Sequence, residues 1–175
     1  MSKITVALAA LALSALPGCA TQQPTVFTVE HVDLPRFMGR WFVIANIPTV
    51  LEKHAYNATE TYQLSPDGTI AVTFEFHKGA FDGPLKSYHP TGFVQDASNA
   101  YWKVQFFWPI KAEYRVSYLD AGYSQVIIAR TARDNVWIMA RTPSVSDEDY
   151  RKLVSRVRDL GYDTDKLQRV PQQWP

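Results

Sequence analysis

From Trp41 to Arg141 the chain is a train of short segments rich in β-branched and aromatic residues, recurring about every ten residues and broken off by Gly, Pro, Asn or Asp. The breaks fall at Pro48, Ser65-Pro66-Asp67-Gly68, Asp82-Gly83-Pro84, Asp96-Ala97-Ser98-Asn99, Trp108-Pro109, Asp120-Ala121-Gly122 and Arg133-Asp134-Asn135. They enclose eight expected strands near residues 40–47, 57–64, 69–77, 86–95, 101–107, 112–119, 124–131 and 135–142. Connections this short join antiparallel neighbours in an up-and-down meander.

Within these segments polarity alternates. Ile70, Val72, Phe74 and Phe76 stand opposite Ala71, Thr73 and Glu75; Trp102, Val104, Phe106 and Trp108 oppose Lys103 and Gln105. Tyr114, Val116 and Tyr118 likewise oppose Glu113, Arg115 and Ser117, and Trp137 and Met139 are in phase with Arg141. Eight strands with one apolar face each can close on themselves. Closure removes the exposed sheet edges and leaves an interior wide enough for side chains or one small ligand. A two-sheet sandwich also satisfies the alternation, but consecutive short hairpins followed by a single late helix favour the barrel.

That helix is expected after Ser146, which can cap it. Asp149 stands three residues on as in a capping box, and Asp147 and Glu148 suit the positive end of the dipole. Tyr150, Leu153, Val154, Val157 and Leu160 recur at helical spacing, and Gly161 is placed to end the helix. The expected fold is therefore all-β: an eight-stranded antiparallel up-and-down β-barrel with one C-terminal α-helix packed outside.

Composition narrows the function. The 18 Lys and Arg against 17 Asp and Glu leave no basic excess for tracking phosphates, so nucleic acid is not an expected partner. One cysteine rules out an intrachain disulfide and a multi-cysteine metal site. Nine Phe, nine Tyr and five Trp supply an unusually aromatic interior.

The N-terminus reads as an address. Lys3 precedes an apolar run from Ile4 to Leu16, too short to span a bilayer comfortably but with the make-up of a signal-peptide core. It ends in Leu16-Pro17-Gly18-Cys19, which resembles the bacterial lipobox, whose Cys becomes the acylated first residue of a mature lipoprotein. Pro17 departs from the small residue commoner at that place. An ordinary signal peptide with an incidental Cys is the alternative reading, and the position of the single Cys favours the lipobox. The resemblance implies a signal peptide over residues 1–18, a lipid anchor at Cys19 with a tether over 19–28, and a domain over 29–175. Ala20 rather than Asp after the anchor favours the outer membrane in lipoprotein sorting, at its periplasmic face.

The body of the chain carries a second resemblance. Gly39-Arg40-Trp41, after the lead-in Leu34-Pro35-Arg36-Phe37-Met38, resembles the Gly-x-Trp signature of the lipocalins. Tyr118-Leu119-Asp120 followed by Tyr123 is similar to their second shared region, and Trp137-Ile138-Met139-Ala140-Arg141-Thr142-Pro143 to their third. The match runs from about Val29 to Gln172-Gln173 and is similar to bacterial outer-membrane lipoprotein lipocalins and to apolipoprotein D. It implies that Gly39, Trp41 and Arg141 form the barrel floor, with Arg141 packed across the Trp41 ring in a cation–π contact worth ~0.5–2 kcal/mol. Their expected role is sealing one end rather than binding cargo.

A pocket should lie above that floor. Parity nominates Phe74, Phe106, Tyr114, Tyr118, Trp137 and Met139 as its wall, with Phe76 and Trp108 by the same phase and Asn57, Thr59 and Thr61 from the second strand. The resemblance supports Trp137 as a wall residue. Ordinary core packing is the alternative for each of these residues, since barrels also fill their floors with side chains. The loop from Pro48 to Tyr56, with Leu51, Glu52, Lys53 and His54, is placed as a lid.

Chemistry finds few reagents. His31, His54, His77 and His89 are scattered without metal spacing, and neither a Gly-x-Ser-x-Gly elbow nor a Gly-rich phosphate loop occurs. The expectation is a non-enzymatic lipocalin, without metal or cofactor, that binds and transports or stores a fatty acid or lysophospholipid in envelope maintenance, as monomer or homodimer. A lipocalin-fold enzyme acting on a lipid and a structural or protein-binding lipoprotein with a filled barrel are the competing readings.

Overall fold

The computed structural model describes residues 24–174. The signal segment 1–18, Cys19 and the first part of the expected tether lie outside the described residues. The strands are β1 (Gly39–Ile47), β2 (Ala55–Leu64), β3 (Ile70–Lys78), β4 (Leu85–Tyr88), β5 (Thr91–Val94), β6 (Tyr101–Phe107), β7 (Ile110–Leu119), β8 (Gln125–Ala129), β9 (Val136–Ala140) and β10 (Gln168–Arg169). Every neighbouring pair is antiparallel, and β1 pairs with β9 as well as β2, so the sheet closes. The result is the expected eight-position barrel with two additional strands.

The first addition comes from the fourth position, where one strand was expected over 86–95. The chain instead forms β4 and β5, both paired to β3, with the break at His89-Pro90. A proline has no N–H to give a ladder, and here its carbonyl accepts from Val72 N–H at 3.0 Å. The second addition, β10, lies along the part of β1 that β2 leaves, pairing with Ala45 and Asn46.

The antiparallel order puts the hairpins around residues 47–55, 78–85, 107–110 and 129–136 at one end of the barrel. The opposite end is closed by α1 (Leu34–Phe37), a single helical turn where the sequence suggested only a lead-in. Pro35 suits its first turn, and Asp33 Oδ1 accepts from Arg36 N–H at 3.3 Å. Phe37 at its end is fully buried against Trp41, Tyr62 and Trp102, at centroid distances of 5.2, 5.5 and 5.4 Å.

Two apolar cores result. The interior of the barrel holds Ile70, Val72, Phe74 and Phe76 from β3, as their alternation requires, with Trp102, Val104, Tyr114, Val116 and Met139. A second core lies outside, between the barrel and α2 (Asp147–Asp159): Leu153, Val157 and Leu160 pack on Ile127, Val136, Ile138 and Ala140. Ser146 caps α2 as expected, its Oγ accepting from Asp149 N–H at 3.0 Å, and Gly161 follows with φ +88°. Residues 24–28, read from sequence as tether, also join the barrel. Val26 is buried in the outer core, and Phe27 carbonyl accepts from Ser117 Oγ at 2.8 Å.

Candidate functional site

Gly39, Trp41 and Arg141 come together at the end of the barrel closed by α1. Arg141 Cζ lies 3.8 Å above the Trp41 ring. Its guanidinium also donates to the carbonyls of Arg40 at 2.8 Å, Arg36 at 2.9 Å, Phe37 at 2.9 Å, Met38 at 2.8 Å and Tyr123 at 3.3 Å. Arg141 therefore gathers the carbonyls that leave α1 and holds that turn against the barrel. Gly39 has φ +88°, a left-handed conformation that favours glycine at the start of β1, while a Cβ there would make only ordinary contact with Arg141 Nη1 at 3.5 Å.

Above the floor, Trp102 and Tyr114 stack at 4.8 Å with rings 6° apart, and a cavity of about 220 Å³ opens over them. Its apolar wall is built by Val72 and Phe74 from β3, Val104 and Phe106 from β6, Tyr114 from β7 and Trp137 from β9. Thr49, Leu51 and Glu52 from the β1–β2 loop line it as well, consistent with the placing of that loop as a lid. At the mouth the β6–β7 hairpin leaves Phe107, Trp108 and Ile110 largely exposed.

Four of the eleven nominated pocket residues line this cavity: Phe74, Phe106, Tyr114 and Trp137. Met139 points inward but is packed in the filled part of the barrel, as is Phe76. Tyr118 was misplaced. It lies on the outer surface beneath α2, with Arg156 Cζ 4.2 Å over its ring, because the β7–β8 register shifts between Val116 and Tyr118 and inverts the alternation. Trp108 belongs to the turn after β6 and is 86% exposed.

The assignments on β2 are also inverted. Thr59 lies opposite Glu75 and Thr61 opposite Thr73, both on the outer face of β3, whereas Glu60 lies opposite Phe74 and Tyr62 opposite Val72. Residues directly opposite across antiparallel strands share a face, so Glu60 and Tyr62 are the inward pair and Thr61 faces out. Asn57 adopts φ +50° at a register shift and binds the C-terminal segment, donating to Gln173 carbonyl at 2.9 Å and accepting from Gln173 N–H at 2.7 Å.

The interior thus contains polar chemistry that parity missed. Tyr62 Oη donates to Glu60 Oε2 and lies 2.7 Å from Tyr114 Oη, which is then left to donate to Tyr62. Burial pushes the Glu60 carboxyl up to about 7; the Tyr62 hydroxyl opposes that shift and the charge of Glu52 adds to it. Burial, followed by Glu60, raises both tyrosines well above their ordinary range. Glu52, 5% exposed, accepts from Thr49 N–H at 2.9 Å and from Trp137 Nε1 at 2.9 Å, yet burial still holds its carboxyl above the ordinary value. Glu113 is different. Burial opposes its ionisation, but Thr131 N–H at 2.6 Å and Arg115 at 2.7 Å outweigh that and bring it below the usual range.

A closed antiparallel barrel with a sealed floor, an apolar cavity under a loop-bordered mouth and a helix packed outside is the architecture of a ligand-binding barrel. The chain belongs to the lipocalin-like domain family, whose model matches residues 32–172. It is 31% identical over 164 residues to temperature-induced lipocalin-1 of Arabidopsis thaliana, covering 87% of this chain and 86% of that protein. Outer membrane lipoprotein Blc of Citrobacter freundii is 30% identical over 174 residues, 98% of each chain. Among solved structures, insecticyanin from the tobacco hornworm Manduca sexta superposes with a TM-score of 0.63 at 15% identity, over 87% of this chain and 86% of that one, and so supports the fold. Family membership implies hydrophobic ligand binding.

Proposed function

We propose that this chain is a lipid-anchored carrier of single-chain amphiphiles, acylated at Cys19 and held at the periplasmic face of the outer membrane. In this reading it takes up, stores or hands on a fatty acid or lysophospholipid in the service of envelope maintenance. The observation that carries the proposal is the cavity of about 220 Å³, walled by Val72, Phe74, Val104, Phe106 and Trp137 above a floor sealed by Trp41 and Arg141. Burying each methylene there is worth ~0.8 kcal/mol before ordering costs. The exposed Phe107, Trp108 and Ile110 at the mouth shorten the aqueous path of a chain leaving a bilayer. The cavity also speaks against a barrel filled wholly by its own side chains. Full-length similarity to a protein named an outer membrane lipoprotein supports the anchor, as does the lipobox-like Leu16-Pro17-Gly18-Cys19.

Native mass spectrometry of the chain carrying Cys19→Ser, before and after incubation with lysophospholipid, tests the carrier role and reads the oligomeric state. The expected result is a one-to-one adduct whose lipid is recovered unaltered by organic extraction. An unchanged apo mass refutes the carrier role, and a chemically altered lipid refutes a non-enzymatic one. Labelling cells with an alkyne fatty acid tests the anchor: the wild-type protein should incorporate label and Cys19→Ser should not.

A further inference from the structure

The carrier reading leaves the head group open, and the interior carries an unexpected bias. Besides its apolar wall, the cavity is lined by three carboxylates, Glu52, Glu60 and Glu113, and, among the described residues, a single cation, Arg130. Two of these four already have a partner of opposite charge, although Arg130 Nε is buried without a hydrogen-bond partner among the described residues. Glu113 is paired with Arg115, and Arg130 Nη1 donates to Asn135 Oδ1 at 2.9 Å and lies 3.3 Å from Asp134 Oδ2. Among the described residues Glu52 and Glu60 receive only neutral donors, Asn46, Thr49 and Trp137 for the first and Tyr62 for the second, and they are close enough to feel each other's charge. Glu60 Oε1 accepts no hydrogen bond among the described residues and is not sealed by protein atoms. A second acid held near an ionised one without a cation is costly, and the cost falls when a positive group enters.

Resting on the carrier reading, we propose that this barrel selects single-chain amphiphiles bearing an amine or ammonium group over those bearing a carboxylate. The cation lies by Glu52 and Glu60 among the aromatic rings of the wall. Trp137, Tyr62, Tyr114, Phe74 and Phe106 line the cavity with aromatic rings, the side chains whose π-systems hold quaternary ammonium groups, and the two carboxylates supply the counter-charge. A carboxylate ligand would bring a third negative charge to the same space.

The proposal fixes the sign of a pH dependence. The charged and titratable groups facing Glu60 are Glu52 from the lid loop, Tyr62 on its own strand, and Tyr114, Glu113 and Arg130 across the cavity. With both tyrosines raised well above their ordinary range and Glu113 lowered, Glu60 is the group that changes charge near neutrality, aided by the raised Glu52. A bound cation favours ionised Glu60, so its affinity rises with pH; a bound anion favours the protonated acid, so its affinity falls.

Isothermal titration of the chain carrying Cys19→Ser tests this with three twelve-carbon probes below their micellar concentrations: dodecyltrimethylammonium, dodecanol and laurate. Between pH 6 and 8 the cation should bind about tenfold more tightly as pH rises, laurate correspondingly more weakly, and dodecanol almost without change, as one proton titrating near 7 requires. Glu60→Gln, checked for folding by its melting temperature, should flatten both slopes and weaken the cation. Laurate binding more tightly than the cation at pH 8, or slopes that survive Glu60→Gln, overturns the proposal and gives the anion to Arg130. Equal binding of all three without slope overturns it while leaving the carrier role standing, and binding of none removes both.

Discussion

Replacing Arg141 tests whether one side chain welds the floor to the barrel. Of its five carbonyl partners, those of Arg36 and Arg40 are exposed and water can replace the lost donors. The Phe37 carbonyl keeps a second donor, Trp41 Nε1 at 2.9 Å. Removing the guanidinium therefore strands chiefly the carbonyls of Met38 and Tyr123, at about 1 kcal/mol each, and forfeits the contact over Trp41, worth about 1 kcal/mol more. Arg141→Gln should cost about 3 kcal/mol, a fall of roughly 9 °C in Tm for a domain of this size. Arg141→Lys keeps the charge but not the planar fork, and should cost about half as much. Urea denaturation read by tryptophan fluorescence gives both numbers. Arg141 does not line the cavity, so dodecanol affinity should stay within about twofold of wild type at temperatures where each variant is folded. A cost below 1 kcal/mol for Arg141→Gln, or full stability in Arg141→Lys, refutes this account of the floor.

Other perturbations separate inside from outside. Glu60 carries a folded-state value of about 7 against an ordinary 4.5, so its contribution to stability is complete below 4.5 and is lost as pH rises through 7. Glu60→Gln should accordingly match wild type near pH 4 and exceed it by roughly 3 kcal/mol at pH 8; equal stability at pH 8 would show the acid to be solvated. Tyr118→Ala should lower stability by about 2 kcal/mol, through lost packing under Arg156, and leave amphiphile affinity within about twofold. A tenfold loss of affinity would put Tyr118 back in the wall. Trp137→Phe removes the indole donor to Glu52 and should cost about 1–2 kcal/mol. It should also abolish most of the ligand-induced fluorescence change; a change persisting at wild-type amplitude would assign the signal to another tryptophan.

The barrel was legible because it rests on a pattern the chain repeats. β3 is read correctly from Ile70 to Phe76, since the extra residue at the β2–β3 register shift opposite Phe76 sits on β2 and leaves the alternation of β3 intact. The capping residues of α2 were legible because they depend on a few side chains at set spacing, whereas the Trp41–Arg141 contact came only through the lipocalin resemblance. Parity is a local rule, and it fails where the ladder is irregular. On β7 the shift between Val116 and Tyr118 turns the last residues over, so Tyr118 faces α2 while Leu119 packs against the interior. No side-chain pattern marks that shift, which belongs to the pairing of two strands rather than to either one.

The error on β2 has another source, and it bears on function. Parity puts Asn57, Thr59 and Thr61 on the inner face of β2, and alternation then leaves Glu60 on the outer one. A signal to the contrary was present in the hairpin register: pairing Leu64 with Ile70 across the turn at 65–69 necessarily sets Tyr62 opposite Val72 and Glu60 opposite Phe74. Because β3 can be phased with no reference to β2, that register fixes the β2 faces without consulting their polarity. Placing Thr59 and Thr61 inward moves the acid to the surface, and with it the feature that most distinguishes this cavity from a plain apolar core. Residues that select a polar head group must break the pattern that builds the barrel, so their side is better inferred from the neighbouring strand than from their own chemistry.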